Sequence, residues 1–365
     1  MAISPFSLIR GVEYTAVDFG HNSIKFLNCR VKNNKINFQS ALKREIPTGS
    51  IQDGEIKDKH LLRKIITDIF KTNNFSSGIL LMTPAAGKTF VRRLNLPKMP
   101  ETELKEALKW EVQEILDLGL DNIALDYIIL SENENELELL LTVMPQDILA
   151  DYLELFTENL LKVKVVNLAE MAMISLLRAN YQPEQPALLL DIGSNKSKII
   201  VADSSNFYLS REIEIAGNSF SKLFLTEENS FEEAEIAKKT YQFEIDAEEE
   251  EEIIDLDLLM TGVEDNSSVQ TGIKNLLANL INELNRSIDY HNERNKENLI
   301  NNIYLTGGGL LLKGLVEYLQ AEIDLPVAAL DPWLKFNNTE SAEVNKTMIA
   351  IAAGTVLSEV EYHAG

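Results

Sequence analysis

One nine-residue pattern occurs twice in this chain, as Val17-Asp18-Phe19-Gly20-His21-Asn22-Ser23-Ile24-Lys25 and as Leu190-Asp191-Ile192-Gly193-Ser194-Asn195-Lys196-Ser197-Lys198. Each copy runs from an apolar stretch into Asp-apolar-Gly, passes through small polar residues and returns to apolar alternation. That order predicts a β-hairpin whose tight turn carries an acid. Glycine allows close backbone approach in such a turn, and the Ser and Asn that follow add donors beside the turn amides for an anionic oxygen. Two such hairpins facing each other would clamp a phosphate chain. Asp18 and Asp191 would then organise a divalent metal, Mg2+ held through water, because Mg2+ keeps part of its hydration shell when bound with phosphates. A repeated hairpin also predicts a duplicated α/β design, each half opening in the same way.

A third signal follows the two hairpins. Asn302-Ile303-Tyr304-Leu305-Thr306 reads as a short strand running into Gly307-Gly308-Gly309, the pattern of backbone packed against a flat ligand or a helix start. The two Asp-Gly hairpins and this strand, in this order, resemble the phosphate-1, phosphate-2 and adenosine motifs of the actin-like ATPase superfamily. The segment Pro84-Ala85-Ala86-Gly87-Lys88-Thr89 imitates the end of a P-loop. That loop needs its first glycine at position 82, which is Met82, and it leads into a helix, whereas this segment leads into a β pattern.

Charge excludes some partners. The 365 residues carry a net charge of −23, which argues against nucleic acid or anionic lipid as a general partner, since both are polyanions. Much of the excess lies in 244–257. No window is long and apolar enough to cross a bilayer, and Met1–Arg10 has no secretion-signal core. The single Cys29 permits no internal disulfide, as expected of a reducing compartment. The expected location is the cytoplasm. His21, His60, His291 and His363 are scattered without metal-ligand spacing.

Periodicity divides the chain. Residues 14–45 read as strands turning at Lys32-Asn33-Asn34-Lys35, His60–Lys71 has helical spacing, and strands are expected at Gly78–Thr83 and Thr89–Leu96. Glu101–Leu116 is an amphipathic helix opened by Pro100, with Leu104, Ala107, Leu108 and Val112 on one face; Trp110 is expected to pack in the core. A strand pair at Ala124–Ser131 and Leu137–Met144 and a helix at Asp147–Asn159 complete a compact insertion over 79–164. A helix at Leu168–Asn180 and a proline-marked linker, 181–186, precede the second hairpin. A polar stretch reaches Thr271, ahead of a long helix at Asn275–Asn292.

Within the actin-like superfamily, the chain resembles the PilM family of type IV pilus assembly, itself similar to the division protein FtsA, over roughly Tyr14 to Val356. The resemblance also rests on Leu96-Pro97-Lys98-Met99-Pro100, Glu103-Leu104, Trp110-Glu111, Leu125-Asp126-Tyr127, Glu232-Glu233-Ala234-Glu235 and the run from Glu283 through Arg286-Ser287-Ile288-Asp289-Tyr290. It departs from the family in Ser197, where relatives usually have Thr, and in Ile115-Leu116-Asp117-Leu118-Gly119, where they have an Ile-Pro-Phe stretch. The resemblance implies an actin-like, ribonuclease H-like duplicated fold. Subdomain 1A would comprise 11–78, 165–187 and 345–365, and an FtsA-type inserted subdomain 1C would span 79–164. Subdomain 2A would comprise 188–225 and 299–344, and subdomain 2B 226–298.

The resemblance further implies ATP and Mg2+ as ligands, with Asp18 and Asp191 organising the metal. Gly20, Asn22, Ser23, Gly193, Ser194, Asn195 and Ser197 would cradle phosphates, and Lys25 sits where the family hairpin commonly ends in lysine. Glu170 would position an attacking water. Glu235 and Lys238 would contact ribose and adenine, with Gly217, Gly307, Gly308 and Gly309 completing the nucleoside pocket. A second connecting helix, Met348–Leu357, would use Ala350, Ala353 and Gly354 for close helix packing. The implied role is a cytoplasmic scaffold that binds the amino-terminal cytoplasmic tail of a PilN-like membrane protein, with nucleotide-controlled domain closure. It would sit at the inner membrane by proxy, with the motor ATPase and platform protein as further contacts. Turnover, expected to be slow at most, and self-association stay open. An FtsA-like filament protein is the alternative, although the acidic end Glu359 to Gly365 gives no amphipathic membrane helix. A sugar or acetate kinase is a further alternative, for which no set of substrate contacts is found.

Overall fold

The computed structural model describes residues 11–72, 75, 78–115, 122–157, 161–242 and 266–364. The acidic stretch 244–257, Met1–Arg10 and the departing residues 116–119 lie outside these. The chain divides into two compact units, Met1–Tyr181 with Ser205–Ser210 and Pro332–Gly365, and Gln182–Ser204 with Arg211–Asp331.

The first unit opens with an antiparallel meander, β1 (Val12–Phe19), β2 (Ser23–Lys32) and β3 (Lys35–Glu45). The β2–β3 turn has positive φ at both Asn33 and Asn34, the conformation that matches the twist of a two-residue hairpin and that asparagine tolerates. A small hairpin of β4 (Ile51–Gln52) and β5 (Glu55–Ile56) leads to helix α1 (Lys59–Thr72), which buries Leu62, Ile66 and Ile69 at helical spacing. Strand β6 (Ile79–Thr83) then pairs in parallel with β1, placing Thr83 beside Asp18. The next segment builds a three-stranded sheet, with β7 (Phe90–Pro97), helix α2 (Glu101–Ile115), β8 (Ile123–Glu132) and β9 (Glu136–Pro145) in the order β7-β9-β8. Its core joins Leu104, Leu108 and Val112 of α2 to Leu137, Leu139, Leu141 and Val143 of β9, so the period of 3.6 meets the period of 2 across one interface. Trp110 departs from expectation. It lies on the outer face of α2, two residues from the buried Leu108 and Val112, and is 63% exposed.

Helix α3 (Gln146–Thr157) follows. It turns Ile148, Tyr152, Leu155 and Phe156 into the same core as Phe19, Ile24 and Phe26 of the first hairpin. Phe19 meets Tyr152 and Phe156 edge-on, with centroids 5.1 and 6.1 Å apart, the arrangement aromatic quadrupoles favour. The Tyr152 hydroxyl donates to the Gly54 carbonyl and accepts from the Ala85 amide. Thus β6 and α3, read as the ends of an insertion, belong to the main sheet and its core. Strand β10 (Val163–Val166) joins β6, and helix α4 (Ala169–Tyr181) closes this part.

The second half of the design repeats the first with β11 (Ala187–Ile192), β12 (Ser197–Ala202) and β13 (Phe207–Ile213), the last of which counts with the second unit only over Arg211–Ile213, followed by helices α5 (Gly217–Ser221), α6 (Phe231–Thr240) and α7 (Asn266–Arg294). Strand β14 (Asn302–Thr306), helix α8 (Leu315–Glu322) and β15 (Val327–Ala329) complete a sheet ordered β13-β12-β11-β14-β15. Strands β11 and β12 are buried almost end to end, as apolar runs covered on both faces are. Helix α7 begins earlier than expected. Val269 and Ile273 extend the buried stripe of Leu277, Leu280 and Leu284 backwards, and burial of that stripe overrides the weak propensity of Ser267, Ser268, Thr271 and Gly272 beside it.

The chain returns to the first unit with β16 (Phe336–Asn337), which pairs with β3, and helix α9 (Ala350–Ala364). The six-stranded order is then β10-β6-β1-β2-β3-β16. Helices α9 and α4 cross closely through small residues, and a Cβ on Gly354 would stand 2.0 Å from the Ala172 carbonyl oxygen. Among the described residues, no helix is long and apolar enough to cross a membrane.

Candidate functional site

In the first unit, the repeated pattern folds as a hairpin whose turn closes with the Gly20 amide donating to the Ser23 carbonyl at 2.9 Å. Asp18 and Lys25 are direct cross-strand partners, which brings the Lys25 ammonium to 3.3 Å from Asp18 Oδ2. The same ammonium lies against the turn, since a Cβ on Gly20 would be 2.7 Å from it. Asp18 is only 3% exposed. Burial pushes its carboxyl above the ordinary range, and the Lys25 charge and hydrogen bond oppose that rise without cancelling it. Ser23 is buried, and Asn22 uses its carbonyl to accept from the Ile46 amide. Glu170 is buried in the first turn of α4, an end at which the helix dipole favours a carboxylate. Beside Asp18, Thr83 bonds Thr355 of α9 through their hydroxyls at 2.7 Å. These two threonines were not read from the sequence, because each sits in an apolar run with no local signal.

The second hairpin is tied into a larger network. The Gly217 and Asn218 amides donate to the Gly193 and Ser194 carbonyls, each at 2.8 Å. The Asn218 side chain donates to Asn195 Oδ1 at 2.6 Å, and the Ser197 hydroxyl to the Ile215 carbonyl at 2.6 Å. The turn is thereby zipped to the start of α5. Lys238 is buried and directs its ammonium to the Gly217 carbonyl at 3.1 Å, Ser221 Oγ at 2.9 Å and Glu235 Oε2 at 2.6 Å, which matches its three donors. Burial pushes Glu235 upward, but its bonds to Lys238 and Ser221 and the charges of Lys238 and Lys239 outweigh that and hold it below the usual carboxylate range. Glu235 and Lys238 therefore brace Gly217.

The glycine triplet follows β14. Gly307 has φ 96° and packs against the hairpin so tightly that a Cβ would meet the Ile192 carbonyl at 2.4 Å and Asp191 Oδ1 at 2.5 Å. Gly309 is filled by the Ile192 side chain in the same way. Gly308 starts the short helical turn Gly308–Leu311. The triplet thus serves first to let backbone approach the hairpin, and the second unit brings Asp191, Gly193, Ser194, Asn195, Ser197, Gly217, Glu235, Lys238, Gly307 and Gly309 into one connected region.

Asp191 is half-buried and has Lys198 opposite it on β12 and Thr306 opposite it on β14. Sequence reading passed over Lys198. The signal was present, since Lys198 stands seven residues after Asp191 as Lys25 does after Asp18. Among the described residues, no three His, Cys, Asp or Glu side chains gather as a metal cluster. A carboxylate holding Mg2+ through water alongside phosphates needs no such cluster, and the half-buried Asp191 fits that role better than the deeply buried Asp18.

Comparisons with known proteins agree with this architecture. The family model described as type IV pilus assembly protein PilM matches residues 16–254, and that of MreB/Mbl protein matches residues 161–350. No curated protein matches. Among solved structures, the PilM-PilN type IV pilus biogenesis complex is similar at TM-score 0.79 and 20% identity, over 96% of this chain and 99% of that one. The ethanolamine utilization protein EutJ from Carboxydothermus hydrogenoformans is similar at TM-score 0.53 and 12% identity, over 94% and 89% of the two chains. MreB 5 of Spiroplasma citri bound to AMPPNP is similar at TM-score 0.51 and 15% identity, over 97% of each. With its duplicated hairpins and paired mixed sheets, the chain has the actin-like ATPase fold and belongs to the PilM family of type IV pilus assembly proteins.

Proposed function

We propose that this protein is an ATP-binding scaffold of the type IV pilus machine that holds the cytoplasmic tail of a PilN-like membrane protein, with nucleotide controlling domain closure. The observation that carries the nucleotide part is the acid–lysine hairpin with a glycine at its turn, which recurs in each unit; turn amides of this kind suit an anionic oxygen. An actin-like relative bound to AMPPNP supports the same reading. In it, Gly20, Asn22, Ser23 and Lys25 of the first turn and Gly193, Ser194, Asn195 and Ser197 of the second receive phosphate. Gly217, braced by Glu235 and Lys238, and Gly307 to Gly309 receive the nucleoside. Asp191 is the acid that would hold Mg2+ through water, and Asp18 holds the Lys25 ammonium against its turn. The metal would neutralise phosphate charge. Glu170 would position water, and turnover would be slow because the sequence offers no arginine finger.

Family membership and the likeness to a PilM-PilN complex support the partner. The protein would reach the inner membrane through that tail, and the motor ATPase and platform protein are further contacts under this reading. Two measurements test it. Calorimetric titration of the nucleotide-stripped protein with ATP should show binding that Asp191→Ala weakens by about tenfold or more, the scale of one charged contact; a wild-type protein that takes up no ATP sinks the nucleotide part. A peptide of the host's PilN-like tail should retain the protein on a resin, and a protein that washes through sinks the partner.

A further inference from the structure

Lys198 is the feature of the second unit that the reading above leaves without a role. It is 5% exposed, rare for lysine, whose charge is normally kept in water or closely paired. It lies in a row across the sheet, with Thr306, Asp191 and Lys198 in direct register on β14, β11 and β12. Glu212 of β13 comes next, with its Oε1 3.8 Å from the Lys198 ammonium. That separation is an ion pair but too long for a hydrogen bond. Glu212 is shared, since Lys196 approaches it at 3.4 Å. The sheet thus holds an ammonium one strand away from Asp191, the acid near the end of β11 before the glycine turn, and keeps it from water. If Lys198 only stapled strands, a surface lysine would serve as well. Desolvation strengthens the field such a charge exerts on a nearby anion.

We propose that Lys198 is the phosphate-neutralising cation of the second hairpin, a fixed charge beside Asp191 that takes over part of the role of Mg2+, so that nucleotide binding persists when divalent metal is removed. This rests on the ATP-binding reading above. One charge-assisted hydrogen bond to phosphate corresponds to about a tenfold change in affinity.

The test is calorimetric titration of the full chain with ATP, once in Mg2+ and once in EDTA. The wild-type protein is expected to bind in EDTA within about tenfold of its affinity in Mg2+. Lys198→Met should lose about tenfold or more in EDTA and much less in Mg2+, where the metal compensates. Lys198→Arg should restore the EDTA affinity, which a purely structural role in strand pairing would not require. Wild-type binding seen only in Mg2+, or a folded Lys198→Met that binds in EDTA as the wild type does, overturns the proposal. Absence of binding in both buffers instead overturns the ATP reading itself. Should Lys198→Met fail to fold, Glu212→Gln decides, because it keeps the ammonium and removes a competing anion. Tighter binding in EDTA is expected of it, and unchanged or weaker binding refutes the role of Lys198.

Discussion

The first and second hairpins share one spacing and bury opposite charges. In the first, the acid is deep, with Asp18 almost fully buried and Lys25 reaching it from a more open position. In the second, the base is deep, with Lys198 buried and Asp191 only half-covered. The third strand of each sheet marks the difference. Lys25 has Lys43 as its neighbour on β3, whereas Lys198 has Glu212 on β13. A buried lysine needs anions on its flanks, and two strands supply them in the second unit. Next to Lys25 stands a second cation, so that ammonium leans towards Asp18 and the turn. The spacing therefore decides which residues meet, and the neighbouring strand decides which charge is desolvated.

The largest effect expected from testing this contrast is at Gly307, which has no glycine counterpart after β6, where Thr83 is followed by Pro84. Gly307→Ala should destabilise the protein by about 3 kcal/mol, combining positive-φ strain with a Cβ driven into the Ile192 carbonyl. A denaturant midpoint close to wild type would show that β14 and the hairpin are less tightly joined than they look. Next is the pair of turn glycines. A Cβ on Gly193 meets the Lys196 carbonyl at 2.6 Å, whereas on Gly20 its nearest neighbour is the movable end of Lys25. Gly193→Ala should cost about 2 kcal/mol and Gly20→Ala less than about 1; equal costs would erase the distinction between the turns.

Smaller effects should come from the charges of the first hairpin. Lys25→Met should cost about 1 kcal/mol at neutral pH and move the Asp18 carboxyl resonance, followed by NMR, to titrate still higher. A titration that moves downwards would mean that Lys25 is not its counter-charge. Asp18→Asn should have the opposite sign. Because the folded-state pKa of Asp18 is raised above its ordinary 3.8, the folded state binds the proton more tightly. Stability from this group is present at low pH and is lost as pH rises through the folded value. The asparagine removes that loss, so a Tm gain of about 2–4 °C is expected at pH 7, shrinking to nothing as the pH falls below 3.8. A gain that grows on acidification would reverse the assigned cause.

Much of this contrast was visible before folding was considered. Both hairpins, the Asn33-Asn34 turn, the helix following β5, the apolar face of α2 and the β8–β9 pair follow from periods of 2 and 3.6 and from turn chemistry, which act over a few residues. Three things were misjudged. Trp110 was assigned to the core by residue type, yet the stripe of Leu104, Leu108 and Val112 leaves it outside. The start of α7 was hidden by polar residues whose helix is paid for by the burial of Val269 and Ile273. Strand β6 and helix α3 were assigned to the insertion, although their partners are β1 and Phe19.

Two acid–lysine hairpins and a glycine-terminated strand are already specified along the chain, because spacing along a hairpin dictates cross-strand partners whatever surrounds them. Long-range packing, by contrast, makes Asp18 and Lys198 the buried members, lets Lys238 brace Gly217 and fills the space at Gly309 with the Ile192 side chain. Those outcomes depend on which distant segment covers each side chain and excludes its water, and desolvation is a property of that cover, not of local order along the chain.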